Sequence, residues 1–366
     1  MRVLFCGGGT AGHVMPAIAM AQMIQRNFKN AEVGFVGRKG GNENRSITKS
    51  GYFLYTIDVM GIKRSISLKN IEAILKALKS SRKAKHIILN FKPDLVIGTG
   101  GYVCYPVIKK AQQMKIPTII HESNVYPGMV TRILGKKCSK LLLNVEATKE
   151  YLKNTNNTSV VGNPLRSDFK SVSRNEARKA LNIGKNEIFI VSFGGSLGSE
   201  VLNEHIVDLM YGYSLHTLNV RHIHSAGVNG YNKLVESFPR LCNGIAKCKI
   251  VPYIDDMPLY LRAADIVISR SGAMTLSELS CAEVAPILIP SPNVTANHQY
   301  ANAKYATDEG GAIMIEEKDL TADSLRNAVE MLVRDSTLRA KLQNGMKKLT
   351  AENVEEKTIR AIKDVL

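Results

Sequence analysis

The sequence predicts an α/β protein of two Rossmann-like, doubly wound domains facing a cleft, and three observations carry that prediction. Short β-rich apolar runs alternate with helical stretches through the first half. The pattern starts afresh at IFIVSFGGSLGSEVLNEHI, which repeats the strand, glycine-rich turn and helix of the N-terminus. Between the halves lies GNPLRSDFKSVSRNEARKALNIGKNE, polar and turn-rich as a linker would be. The boundaries read this way are 1–163 and 164–348, with 349–366 a helix that crosses back to the first domain.

The elements follow in order. Arg2–Cys6 has the continuous apolar character of a buried strand, and Val14, Ala17, Ile18 and Ala21 then recur at helical spacing. Further strands are predicted at Glu32–Val36, Phe53–Val59, Leu95–Gly98, Thr118–His121 and Leu141–Asn144, with helices near 68–90 and 103–114. After its opening strand the second half places strands at 220–224, 249–252, 266–269 and 286–289, and it reads as helical from 321 to 366. Ligands of such sheets bind beyond the carboxyl ends of the strands, so the turns there are the places to look for chemistry.

A chain of 366 residues suits two domains, and 45% hydrophobic with 22% charged residues is globular. The longest apolar runs, such as APILIP, fall short of a spanning helix. The first apolar run stops at Gly7, too early for a signal-peptide core, and Cys6, Cys104, Cys138, Cys242, Cys248 and Cys281 form no CxxC pair. A cytosolic protein with reduced thiols is the expectation. The net charge of +17 is unevenly placed. Residues 1–165 carry 25 Lys and Arg against 8 Asp and Glu, whereas the remainder carries 24 of each. One face of the first half therefore meets something anionic, with nucleic acid and an acidic membrane as the large candidates.

GGGTAGHVMPA, residues 7–17, joins the first strand to the first helix. Bare backbone there lets a ligand approach closely and aims N–H groups outward, as an anion site requires. The spacing Gly7-x-Gly9-x-x-Gly12 also meets the dinucleotide fingerprint, but its second strand ends Val36-Gly37-Arg38 without the usual acid, leaving only an NADP variant open. A tight turn with close helix packing explains Gly7 and Gly8 equally well. His13 stands where the helix dipole disfavours imidazolium, so it reads either as a neutral base or as a helix-capping side chain.

There is no GxxxxGK[ST] and no Asp-x-Asp, which removes a P-loop and the usual metal-chelating carboxylate pair of sugar-nucleotide enzymes. A bound diphosphate would rest on helix dipoles, amides and cations, with no metal and no cofactor. In SRSGAMTLSEL, Ser271-Gly272 mark a helix start suited to phosphate, and Glu278, about two turns on, could accept both ribose hydroxyls or stand solvated. GGSLGS is a second amide-rich turn, with Ser196 able to donate to a phosphate oxygen.

Seven segments occur in a fixed order: GGGTAGHVMPA, HESNVYPG, GNPLR, FGGSLG, YIDDM, SRSGAMTLSE and NHQYANA. Together they resemble the MurG family, bacterial transferases that move N-acetylglucosamine from UDP-N-acetylglucosamine onto lipid I, an undecaprenyl-pyrophosphoryl-muramyl-pentapeptide. The product is lipid II, the lipid-linked disaccharide of peptidoglycan. The resemblance implies the B-type glycosyltransferase fold with the donor mainly on the C-terminal domain. It implies uracil contacts at the backbone around Ile254 with Arg166 nearby, ribose on Glu278, and phosphate at Ser196. Ala273, Met274 and Thr275 then lie by the diphosphate and sugar, and Gln299 reads the sugar hydroxyls. Thr10, Ala11, Gly12 and Asn124 close over the sugar. His13 matches the family's important histidine, and Glu122 matches an acid that shares with it the candidacy for general base. Ala11, Ser123 and His298 depart from the commoner residues of the family; they bear on sugar selectivity and leave His13, Asn124 and Glu278 untouched.

The implied reaction inverts the anomeric centre as a base deprotonates the acceptor's C4 hydroxyl and UDP leaves. Residues 62–85 carry Lys63, Arg64, Lys69, Lys76, Lys79, Arg82, Lys83 and Lys85 against Glu72 alone, beside Ile71, Ile74, Leu75 and Leu78 at helical spacing. Such a stretch suits an anionic leaflet, so a peripheral enzyme on the cytoplasmic face of the plasma membrane is expected. The stripe could instead pack on the sheet, leaving the lysines solvated. Two rivals remain: a UDP-N-acetylglucosamine 2-epimerase on the same fold, and a nucleic-acid binder. The second lacks any recognition module, has no Trp and only 6% aromatic residues, so no nucleic-acid partner is expected.

Overall fold

The structure, a computed structural model, describes residues 1–9, 11–41, 44–59, 68–166, 169, 171–195, 198–212, 219–245 and 247–366, with the backbone alone at 11 and 68–78. The chain forms two compact units, Met1–Leu165 with Ala351–Leu366, and Arg166–Thr350. The chain crosses between them two residues beyond each expected boundary.

The first unit runs β1 Arg2–Cys6, α1 Ala11–Asn27, β2 Glu32–Arg38, α2 Asn44–Lys49, β3 Phe53–Ile57, α3 Leu68–Phe91, β4 Leu95–Gly98, α4 Cys104–Gln113, β5 Thr118–Glu122, α5 Met129–Leu134, β6 Lys140–Leu143 and β7 Thr158–Val160. Its strands are all parallel, in the order β3-β2-β1-β4-β5-β6-β7. A parallel sheet is covered on both faces, which is why its strands read as unbroken apolar runs. Alternation within β1 divides the core in two. Val3 and Phe5 pack with Val14, Ala17 and Ile18 of α1, whereas Leu4 and Cys6 pack with Ile88 of α3 and Val107 and Ile108 of α4.

The second unit runs α6 Arg174–Ala180, β8 Ile188–Phe193, α7 Glu200–Gly212, β9 Val220–Ser225, α8 Val228–Ser237, α9 Pro239–Asn243, β10 Cys248–Val251, α10 Met257–Ala263, β11 Ile266–Ser269, α11 Ala273–Ala282, β12 Ala285–Leu288, α12 His298–Asp308, β13 Ile313–Met314, α13 Ala322–Arg334 and α14 Ser336–Lys348. Its sheet, again parallel, has the order β10-β9-β8-β11-β12-β13. The last helix, α15 Val354–Lys363, belongs to the first unit. Its Ile359, Ala361 and Ile362 join the α1 core, and Glu355 accepts from Arg26 at 2.8 Å and Asn27 at 2.7 Å.

Two short edge strands, β7 and β13, are absent from the sequence-based assignment. Three and two residues respectively, neither fully buried, give no apolar run to read. In α3, Ala84, Ile87, Ile88 and Phe91 recur at helical spacing and are buried in the sheet's core, while Lys79, Arg82, Lys83 and Lys85 are exposed. The side chains of Lys69, Ile71, Ile74, Leu75, Lys76 and Leu78 lie outside the described residues, as do Lys63 and Arg64 altogether. All six cysteines are buried free thiols.

Candidate functional site

Each sheet has one place where its strand order reverses, between β1 and β4 in the first unit and between β8 and β11 in the second. A doubly wound sheet opens a crevice for ligands at such a point. Gly12 and His13 follow the turn after β1, and Ala273, Met274, Thr275 and Glu278 follow the turn after β11; Glu122 ends β5 with Asn124 just beyond it, Ile254 follows β10 and Gln299 follows β12.

In the first unit the glycine turn after β1 meets a second glycine turn, Gly100-Gly101, after β4. Gly8 donates to the Gly100 carbonyl at 3.4 Å, and a Cβ on Gly101 would stand 1.8 Å from the Gly8 carbonyl oxygen. The Thr99 hydroxyl donates to the His13 carbonyl at 2.6 Å and so ties the first turn of α1 to β4. The half-buried His13 ring lies against Gly100, where a Cβ would come within 2.5 Å of it. Gly12 beside it is exposed; Thr10 and the Ala11 side chain lie outside the described residues. Sequence reading overlooked Gly100-Gly101. The signal was there, a glycine pair directly after the strand LVIG, but its partner lies about ninety residues away.

Glu122, at the end of β5, is buried. One carboxylate oxygen accepts from the Asn124 backbone and side-chain amides, each at 3.0 Å; the other accepts from Gly128 N at 2.8 Å and the Thr131 hydroxyl at 2.6 Å. Four donors, three from its own loop and one from α5, engage both oxygens, so in this geometry Glu122 shapes the Asn124 loop. Asn124 is further fixed by the Thr148 hydroxyl, which donates to its carbonyl at 3.2 Å. Behind them His121 is buried, and burial lowers its pKa below the ordinary histidine value.

In the second unit the turns after β8, β11 and β12 are bonded to one another. Arg270, just past β11, is buried; it donates to the Ser199 hydroxyl at 2.6 Å and the Ile289 carbonyl at 3.2 Å, and it pairs with Glu317. The Ser271 hydroxyl donates to the Gln299 carbonyl at 2.8 Å, and Asn302 donates to the Ser271 carbonyl at 3.1 Å. Gly272 is the N-cap of α11 and brings no side-chain oxygen to its first turn, Ala273, Met274 and Thr275. Glu278 lies half-buried further along the helix. The Gln299 side-chain oxygen accepts from Ser291 N at 2.9 Å, which turns the amide's NH2 end away from Ser291. Ile254 is buried in the turn between β10 and α10, and Arg166 stands 5.9 Å over the Phe169 ring. Ser196 lies outside the described residues; Gly195 and Gly198 beside it have φ of +92° and +78°, a region that favours glycine. Arg270 was passed over in sequence because the segment SRSG was read for its serines and glycine.

Under this turn Ser192, His222, His224 and Asn203 form a buried polar chain. The Ser192 hydroxyl is 2.7 Å from His222 Nε2 and 2.8 Å from His224 Nδ1, and His224 Nε2 is 2.9 Å from Asn203 Oδ1. Burial holds the His222 pKa well below the ordinary value of 6.5 and lowers that of His224 to about 3. Unfolded, both imidazoles bind protons near 6.5, so below that pH the unfolded state takes up more protons. The stability they contribute is complete above about pH 6.5 and is lost as pH falls toward 3. Stability to urea should therefore fall between pH 7 and pH 5, by about 2 kcal/mol from His224, with His222 acting in the same direction. A midpoint flat over that interval would contradict the buried neutral pair.

Residues 3–143 match the glycosyltransferase family 28 N-terminal domain, and residues 189–358 match the family's C-terminal domain. A UDP-N-acetylglucosamine--N-acetylmuramyl-(pentapeptide) pyrophosphoryl-undecaprenol N-acetylglucosamine transferase of Thermoanaerobacter sp. (strain X514) is 39% identical over 366 residues, 100% of each chain. The protein of that name from Acetivibrio thermocellus is 37% identical over 366 residues, 100% of this chain and 98% of its own. Among solved structures, MurG of Acinetobacter baumannii has a TM-score of 0.75 at 25% identity over 99% of both chains. UDP-GlcNAc 2-epimerase of Neisseria meningitidis, solved with UDP-GlcNAc bound, has a TM-score of 0.68 at 14% identity over 100% of both, a likeness of fold alone.

Proposed function

This chain belongs to the MurG family of UDP-sugar glycosyltransferases, two Rossmann-like domains in the B-type fold, and from that premise we propose the reaction it catalyses. It transfers N-acetylglucosamine from UDP-N-acetylglucosamine to the C4 hydroxyl of lipid I, giving lipid II for peptidoglycan synthesis. The observation that carries the reading is 39% identity along the entire chain to a transferase of that name.

The second unit takes the donor. The backbone around Ile254 and the side chain of Arg166 serve the uracil, Glu278 accepts the ribose hydroxyls, and Gln299 meets the sugar. The diphosphate rests on Ser196 and the start of α11 at Ala273, Met274 and Thr275. A helix N-terminus and a glycine-rich amide turn stabilise an anion without reorganising, so they favour the charge that develops on departing UDP. These groups supply what a metal would, and the chain has no Asp-x-Asp to chelate one; transfer is metal-independent in this reading. The first unit takes the acceptor. His13 removes the C4 proton as the hydroxyl attacks C1 in one inverting displacement, and Glu122 holds the Asn124 loop in shape.

Incubation with UDP-N-acetylglucosamine and lipid I tests the reading directly: disaccharide should appear, with UDP released only when acceptor is present. Release of UDP or a change of sugar without acceptor would point to a 2-epimerase and overturn it.

The acceptor is held in a bilayer, and the exposed Lys79, Arg82, Lys83 and Lys85 give α3 a positive face toward an anionic leaflet. Among the described residues no helix is long and apolar enough to cross a membrane. Peripheral docking is the mode we assign, with Lys63, Arg64, Lys69 and Lys76 contributing. Vesicles with anionic lipid should sediment the protein at low salt and release it at high salt. Equal binding to neutral vesicles would refute the electrostatic part.

A further inference from the structure

We propose that the buried chain His222–Ser192–His224–Asn203 is a positioning device for the glycine turn between β8 and α7, setting how tightly the second unit holds a nucleoside diphosphate. The inference rests on the reading of that turn as the donor's phosphate site.

Its parts come from three elements. Ser192 lies two residues before Gly194 on β8. His222 and His224 are two apart on β9 and so share one face of the sheet. Asn203 comes from the first turns of α7. One arrangement of protons satisfies the three side-chain links with both imidazoles neutral: His222 Nε2–H donates to the Ser192 hydroxyl, which donates to His224 Nδ1, whose Nε2–H donates to Asn203 Oδ1; the Ser192 carbonyl also stands 3.2 Å from His224 Nδ1. With Oδ1 so occupied, the Asn203 amide can present only its NH2 end to the far side. That end donates to the Ala226 carbonyl at 3.0 Å.

The Ala226 carbonyl is the surface on which Gly198 rests: a Cβ on Gly198 would stand 2.2 Å from that oxygen. Gly198 N in turn donates to the Gly195 carbonyl at 3.0 Å, closing the turn. Asn203 also donates its backbone N–H to the Ser199 carbonyl at 2.8 Å, so one residue grips the turn from two sides. Gly230 of α8 leaves the room this needs, since a Cβ there would come within 2.3 Å of Asn203 Nδ2. A core serving stability alone could fill this space with apolar side chains of similar volume. A one-directional row of hydrogen bonds instead fixes orientation, and what it orients is the carbonyl beneath the phosphate turn.

The test is calorimetric titration of the full chain with UDP beside steady-state transfer kinetics. Asn203→Asp keeps the shape but sets an acceptor against the Ala226 carbonyl; Ser192→Ala removes the bridging hydroxyl. Kd for UDP and KM for the sugar nucleotide should rise about ten-fold in Asn203→Asp and about three-fold in Ser192→Ala, with kcat within about two-fold of wild type. Variants that melt earlier yet bind UDP like wild type would overturn the proposal, as would a fall in kcat at unchanged KM. Wild-type protein that binds no UDP would sink the donor assignment, and this inference with it. Should Asn203→Asp fail to fold, Ser192→Ala, smaller by one oxygen, decides the matter alone.

Discussion

His13→Ala is expected to lower kcat by about 10²–10⁴ while UDP affinity stays at the wild-type level. The split follows from where His13 stands. It is on the first turn of α1, in the unit to which we assign the acceptor, whereas the residues we propose for UDP belong to the other unit. A helix N-terminus disfavours added positive charge, which suits the role proposed for His13. Thr99 fixes the His13 backbone and Gly100 the space beside its ring, so the proposed base is held in place. Glu122, the other candidate, has both oxygens engaged by four donors, and its replacement should act through the Asn124 loop. Steady-state kinetics and UDP titration on the same preparation check the prediction. A loss of only a few-fold in kcat would leave His13 without the role of base.

The second large effect is expected for Gly101→Ala. Its φ of +82° is one that L side chains rarely adopt, and the added carbon would lie 1.8 Å from the Gly8 carbonyl oxygen. A left-handed conformation costs about 1–2 kcal/mol for alanine, and overpacking adds about 1–3 kcal/mol. Neither neighbour can yield cheaply, because the obstacle is backbone on the turn that opens α1. We expect a melting temperature lower by about 5–12 °C and impaired transfer, since the two turns must part and Gly100 moves with them away from His13. Gly9→Ala is the informative comparison: its φ is also positive, at +96°, but a Cβ there meets nothing within 4 Å among the described residues. Equal behaviour of the two variants would show that the close approach of the turns carries no weight.

The two effects mark what could be read from sequence and what could not. Strands such as Arg2–Cys6 and Ile266–Ser269 were legible because burial on both faces writes an unbroken apolar run. The edge strands at Thr158–Val160 and Ile313–Met314 were not, being too short to carry a period. Within the site, local chemistry was legible: glycines before a helix, a serine-glycine helix start, a carboxylate two turns on. What sequence concealed were partnerships over distance. Gly101 needs Gly8, Arg270 needs Ser199 and Glu317, and Asn203 needs His224, and none of these pairs is marked by spacing along the chain. The alternation in VRHIHS did place both histidines on one face, but only the fold shows that this face is the core.

Whether the uridine sits at the carboxyl ends of the second sheet is decided most directly by titrating UDP into wild-type protein and Glu278→Ala. Losing the acceptor for two ribose hydroxyls should weaken UDP about 10–100-fold, with the melting temperature of the unliganded protein little changed. Identical affinity in the two proteins would mean that the nucleotide is held elsewhere.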